Sequence, residues 1–179
     1  MGIYIQSGKW LVLTALMFSH TTLAEPAKAP NLYLHGALVN EPCTLRPGDE
    51  AVELKFGMVA DKYLYKNQRT LGQPFELHLQ ACDISQDSTV KVLFSGVESP
   101  GLPGFLALSG NTRGFAIGLE LPDGQAVALN KQSAAWNLRE GETVISLKAF
   151  LHIEPDAVAE RSITRGEFEA AMMFTLEYQ

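Results

Sequence analysis

The sequence predicts an all-β fold, an antiparallel sandwich of the immunoglobulin type. Three observations point there: apolar residues recur at every second position, turn chemistry separates the runs, and no long helical period is present. Phe75, Leu77 and Leu79 alternate with Glu76, His78 and Gln80. Successive strand side chains point to opposite faces, so this spacing puts one face in a core and the other in water. Val90, Val92 and Phe94 repeat the pattern with one apolar intruder, Leu93. Phe115, Ile117, Leu119 and Leu121 share one parity, against Gly118 and Glu120. Ile145, Leu147, Ala149, Leu151 and Ile153 do the same, against Ser146, Lys148 and His152. The last run is the clearest, with Phe168, Ala170, Met172, Phe174, Leu176 and Tyr178 on one side and Glu169, Thr175 and Glu177 on the other.

Turn residues punctuate these strands at Arg46-Pro47-Gly48-Asp49, Ser99-Pro100-Gly101, Leu121-Pro122-Asp123-Gly124 and Arg165-Gly166. Asp123-Gly124 between two alternating runs marks a hairpin, because Gly accepts the positive φ that such turns need. Short helical turns are expected at Ser133 to Leu138 and Asp156 to Arg161. Neither is long enough to set the architecture, and many short strands with little helix read as a sandwich. Cys82 falls on the polar parity of its own run, so either a bulge intervenes or the cysteine lies off the main core face.

The chain has 179 residues, one domain's worth once a leader is removed. Lys9 supplies a short positive region, Trp10 to Phe18 is apolar, and Thr22-Leu23-Ala24 offers the small residues a signal peptidase reads. That apolar run is shorter than the roughly 20 residues that span a bilayer. The expected organisation is a signal peptide over 1–24, an N-terminal extension over 25–41 and a folded domain over 42–179. The formal charge is -6, and loss of Lys9 takes it to -7. A mildly acidic chain with scattered Lys and Arg has no footprint for nucleic acid, which is not an expected partner.

Cys43 and Cys82 are the two cysteines. In an exported protein an even pair reads as a disulfide. Closing that loop is worth roughly 4 kcal/mol on the chain-entropy model. Two cysteines this far apart make a poor zinc site, which needs about four ligands at close spacing. The four histidines, His20, His35, His78 and His152, show no paired spacing. Nucleophile elbows, phosphate loops and dinucleotide fingerprints are absent from the sequence. No catalytic residues, metal ligands or cofactors are expected, and the chain does not read as an enzyme.

In order along the chain, these residues resemble the pilin family of chaperone–usher fimbriae. Leu34-His35-Gly36-Ala37-Leu38-Val39-Asn40-Glu41-Pro42-Cys43 is similar to the family's opening. Phe75 to Asp83 resembles its second cysteine strand, and Val90 to Gly96 its run of alternating valines and Phe ending in Ser-Gly. Arg113-Gly114-Phe115-Ala116-Ile117-Gly118-Leu119, followed by Asp123-Gly124, looks like its central hairpin. Gly166-Glu167-Phe168 to Phe174-Thr175-Leu176-Glu177-Tyr178-Gln179 resembles its C-terminus with a penultimate Tyr. The resemblance runs from about Leu32 to Gln179.

The resemblance implies an incomplete immunoglobulin-like antiparallel β-sandwich that lacks its last strand and is completed by a donated one. It implies three kinds of partner: a periplasmic pilus chaperone, an outer-membrane usher and neighbouring pilin subunits. The destination it implies is a fimbria on the cell surface, reached through the periplasm, with a role in cell adhesion. Length and the short segment before Leu32 are most similar to minor or adaptor subunits of P-type pili.

Donor-strand complementation of pilins is a recognised case of β-strand addition. Leu32, Leu34, Gly36 and Leu38 share one face, as a donated strand requires. Burying three Leu is worth about 5–9 kcal/mol, comparable to a domain's whole stability of about 5–15 kcal/mol. At Gly36 the missing side chain permits close backbone approach. On the accepting side, Phe174, Leu176 and Tyr178 would line the groove, and the carboxylate of Gln179 would meet basic residues of the chaperone. The alternative is a small exported carbohydrate-binding or adhesive module with a self-sufficient sandwich, for which Tyr63, Tyr65 or Trp136 would offer aromatic surface.

Overall fold

The structure, a computed structural model, describes residues 41–85 and 87–179. The expected signal segment (1–24) and the expected donor positions Leu32, Leu34, Gly36 and Leu38 lie outside the described residues.

Among the described residues there are ten strands and two short helices. They are β1 (Thr44–Leu45), α1 (Asp61–Asn67), β2 (Gln73–Cys82), β3 (Thr89–Ser95), β4 (Glu98–Ser99), β5 (Leu102–Leu106) and β6 (Phe115–Glu120). Then come β7 (Ala126–Val127), β8 (Trp136–Asn137), β9 (Gly141–Ile153), α2 (Pro155–Glu160) and β10 (Met173–Tyr178). One antiparallel sheet runs β1-β2-β9-β6-β5-β4, with β7 also on β6. A second, smaller sheet runs β10-β3-β8.

The alternation sets the register. Across β2 and β9, Phe75 faces Leu147 and Leu77 faces Ile145, so apolar side chains meet directly across the ladder. Their inward faces pack against Val90, Val92 and Phe94 of β3 in a single core. The predicted hairpin joins β6 to β7: Gly124 sits at φ 93° and donates to the Leu121 carbonyl at 2.9 Å.

Cys43 and Cys82 are bonded to each other. The parity conflict resolves as a bulge, since the β2–β9 register shifts between Gln80 and Cys82 while Ala81 takes φ 51°. The extra residue turns Cys82 back toward the core, where it is buried beside Cys43.

Two expectations change. Ser133 to Leu138 is not helical; it runs along the edge of β3, with Ser133 N donating to the Val92 carbonyl at 3.0 Å and Leu138 N to that of Ser88 at 2.8 Å. The Ser133 hydroxyl accepts from Val92 N at 2.9 Å. An open sheet edge offers this segment more hydrogen bonds than one helical turn could. The second change is α1, a helix of 7 residues that buries Leu64. A helix that short displays no helical period in sequence. The other expected turn is present as α2, with Pro155 at its start, where the missing N–H costs nothing.

β6 also departs from simple alternation, because all six of its positions are buried. Its outer face is roofed by Phe105 and Phe150, whose rings meet edge-on at 5.9 Å. A Cβ on Gly118 would lie 2.4 Å from Phe105 and 2.6 Å from Phe150, so the roof requires glycine there. Arg69 lies 3.6 Å over the Phe150 ring and reaches Glu120 at 2.9 Å, which pairs that buried carboxylate.

Candidate functional site

The C-terminal strand β10 lies at the edge of the small sheet. Tyr178, Leu176 and Phe174 stand opposite Val90, Val92 and Phe94 of β3. The β3 side chains are 0%, 0% and 1% exposed, whereas their three β10 neighbours are only half-buried. Phe168, Ala170 and Met172 extend the same half-buried apolar row. Among the described residues β10 pairs with β3 alone, so its other edge has no ladder partner.

A second wall faces this row. Residues 51–59 form a run outside any strand or helix in which Leu54, Phe56 and Val59 are half-buried against the core. Among the described residues no backbone hydrogen bond joins 51–59 to any other segment. The walls meet near one end, where Phe56 and Phe168 have ring centroids 6.1 Å apart and Phe168 stands edge-on to Phe115 at 5.3 Å. At that end a cavity of about 200 Å3 opens between Val59, Leu64, Ile163 and Phe168, with Phe115 and Leu151 among its lining. Asp61 and Arg165 stand at its rim, joined by an ion pair with the Arg165 Nε 2.9 Å from Asp61 Oδ2. The Arg165 guanidinium holds the Asp61 carboxyl below its usual range. Deeper, the Tyr65 hydroxyl accepts from Ile163 N at 2.9 Å.

At the far end the Tyr178 hydroxyl points at the Cys43 carbonyl, 3.5 Å away, so the disulfide and the last strand lie side by side. Burial pushes the Tyr178 phenol up from its usual range, with the Glu41 charge adding to it. The Gln179 carbonyl-position oxygen accepts from Ser88 N at 3.0 Å, Thr89 N at 2.9 Å and Thr89 Oγ1 at 3.1 Å. The chain end is thus held by the first residues of β3.

The structure brings Phe174, Leu176 and Tyr178 onto one face, places Gln179 on Thr89, and sets Cys43–Cys82 at the Tyr178 end. Sequence reasoning missed the opposite wall of Leu54, Phe56 and Val59. A signal was present, since Leu54 and Phe56 alternate with Glu53 and Lys55. Of the aromatic residues of the alternative reading, Tyr63 is exposed, Tyr65 is bound to Ile163 and packs on the core, and Trp136 is half-buried in β8.

Two facing apolar walls, neither paired on its open side among the described residues, define a class: subunits with an incomplete sandwich that a further strand completes. The comparisons agree. The family model described as Fimbrial protein matches residues 32–179, and the chain belongs to that family. It is similar to the fimbrial-like protein YfcP of Escherichia coli K12, 33% identical over 97% of each chain. It is also similar to the fimbrial adapter PapK of Escherichia coli, 26% identical over 92% of this chain and 97% of that protein. Among solved structures, the P pilus rod subunit PapA superposes with a TM-score of 0.69 at 26% identity, covering 78% of this chain and 100% of that one. The fold is therefore an incomplete immunoglobulin-like sandwich, and the chain is a subunit of chaperone–usher fimbriae. Members of this class are structural components of a cell-surface pilus, in which subunits assemble with their neighbours.

Proposed function

We propose that this protein is a minor or adaptor fimbrial subunit, exported through the periplasm, that assembles by donor-strand exchange and contributes to adhesion. In this reading residues 1–24 are a signal peptide, 25–41 the donor extension and 42–179 the accepting domain. Leu32, Leu34, Gly36 and Leu38 of one copy or a related subunit enter the next subunit's trough beside Phe174, Leu176 and Tyr178. A periplasmic chaperone fills the trough first, with basic residues meeting the carboxylate of Gln179, and an outer-membrane usher hosts the exchange. The adaptor rank is supported by the likeness to PapK over nearly the whole length of both chains.

The observation that carries the reading is the pair of free edges. Among the described residues, 51–59 has no backbone hydrogen bond to another segment and β10 is paired along one side only, and both carry half-buried apolar residues. An inserted strand would hydrogen-bond to both at once and cover the apolar row between them. Without it, such an edge invites aggregation, which explains the need for a chaperone.

The test is heat unfolding of the oxidised exported chain, with and without a copy of residues 30–41 appended after Gln179 through a flexible linker. Three buried Leu contribute about 5–9 kcal/mol. For a domain of this size that is a rise of about 10–35 °C in Tm. If both forms melt alike as monomers, the sandwich is self-sufficient and the donor-strand reading is wrong.

A further inference from the structure

We propose that the Asp61–Arg165 ion pair is a strap across the mouth of the apolar cavity at the Phe168 end of the trough, and that it sets how fast an incoming strand can seat a side chain there. The proposal rests on the strand-accepting reading and adds a rate-controlling device to the same site.

The cavity has two walls that are separate in sequence. Val59 lies in the run entering α1 and Leu64 in α1 itself, while Ile163 and Phe168 belong to the segment leading toward β10. Asp61 opens α1 and Arg165 lies in the second wall, so their bond ties one wall to the other. Its geometry is a fork: Arg165 Nε and Nη2 both donate to Asp61 Oδ2. The other carboxylate oxygen, Oδ1, accepts from Lys62 N at 2.7 Å and fixes the side chain on the first turn of the helix. Asp61 is therefore held in place before Arg165 arrives, and the fork selects arginine over a point charge.

Two features make the strap releasable. The Arg165 side chain is 79% exposed, so ions reach the pair and screen it. Beneath it, the Tyr65 hydroxyl and Ile163 N join the same walls independently. Opening the ion pair widens the mouth and leaves that deeper bond in place. Apart from Asp61 and Arg165 the side chains that line the cavity are apolar, so an entering side chain gains from burial but must first pass the paired charges.

The test uses the oxidised exported chain and, as probe, a fluorescein-labelled synthetic peptide of residues 30–41, with association followed by anisotropy at low and high salt. Association to the unaltered chain should accelerate with salt. Asp61→Asn and Arg165→Gln should each bind about two- to five-fold faster, the scale of an exposed ion pair, and should lose the salt dependence. Arg165→Lys, which keeps the charge and loses the fork, should fall between. Combining Asp61→Arg with Arg165→Asp should restore slow, salt-sensitive association. Melting curves identify any variant that has lost the fold, and the Lys variant then stands in for it. Binding at one rate in all forms, or slower binding in the single variants, overturns the strap alone. No peptide binding to any form at any salt overturns the strand-accepting reading and the strap with it.

Discussion

Strands β6 and β10 have the same length, six residues, and equally apolar inward faces, yet they end in opposite environments. β6 presents Phe115, Ile117 and Leu119 and is buried at every position. β10 presents Phe174, Leu176 and Tyr178 and is fully buried at none. Composition does not separate them; neighbours do. β6 lies between β5 and β9 and is roofed by Phe105, Phe150 and Arg69. β10 has β3 on one side and, among the described residues, nothing on the other.

The comparison is broken most directly by the same substitution on both strands. Leu119→Ala removes a fully packed side chain and should cost about 2–5 kcal/mol. Leu176→Ala in the unextended chain should cost about 1–2 kcal/mol, because that side chain is only partly buried to begin with. Urea unfolding measures both. When a donor strand is appended, the Leu176→Ala cost should climb toward that of Leu119→Ala, while the Leu119→Ala cost should not move. Equal costs in the unextended chain would mean that β10 is as enclosed as β6.

The roof over β6 supplies the next two effects. Gly118→Ala pushes a methyl group into two aromatic rings at 2.4 and 2.6 Å and should destabilise by about 1–3 kcal/mol. The nearest atoms belong to ring side chains that already pack edge-on, so relief requires both rings to move. Arg69→Ala removes the cation over Phe150 and leaves Glu120 buried without its partner. A fully buried pair would lose about 3–5 kcal/mol. Arg69 is 39% exposed at its side chain, so water offsets part of this and about 1–2 kcal/mol is expected. Replacing Glu120 with Gln in the Arg69→Ala background should recover some of the loss, since an amide is cheaper to leave unpaired than a charge.

How far the sequence revealed this contrast follows from the range of the interactions. The inward faces of β2, β3, β9 and β10 were legible because a period of two is a local property. The disulfide was legible from export and an even cysteine count, but the bulge at Ala81 was not, since only the register against β9 requires it. Gly118 read as an ordinary strand glycine, because the rings that demand it come from Phe105 and Phe150. Ser133 to Leu138 was misread as a helical turn, because its partner is the edge of β3 some forty residues earlier in the chain. Of the trough, the β10 wall was visible in sequence. The 51–59 wall, which has no strand partner among the described residues, was overlooked despite its alternation.

A last expected effect concerns where that overlooked wall begins. Residues 46–49 are pinned to β2, whereas 51–59 have no backbone hydrogen bond to another segment among the described residues. The pin is Asp49, a buried carboxylate whose Oδ2 accepts from His78 N at 2.7 Å and lies 2.9 Å from His78 Nδ1. Its Oδ1 accepts from Arg46 Nη2 at 2.9 Å. The backbone N–H of His78, working against burial and helped by Arg46 and the His78 ring, brings the Asp49 carboxyl down to about 2. An unfolded Asp titrates near about 3.9. Because the folded value lies below the unfolded one, the stabilisation is complete above pH of about 4 and is lost as pH falls toward 2. Urea midpoints of the native chain should therefore drop across that window, and those of Asp49→Asn should drop less. At neutral pH the Asn variant should be the less stable of the two, because the amide keeps one acceptor but loses the charge that Arg46 and the His78 N–H meet. Parallel acid limbs would show that Asp49 titrates alike in both states and that the segment is held by its backbone turn instead. If the pin fixes the start of the free wall, Asp49→Asn should also lower the gain in Tm from an appended donor strand, because one side of the trough would then be less well placed to pair with it.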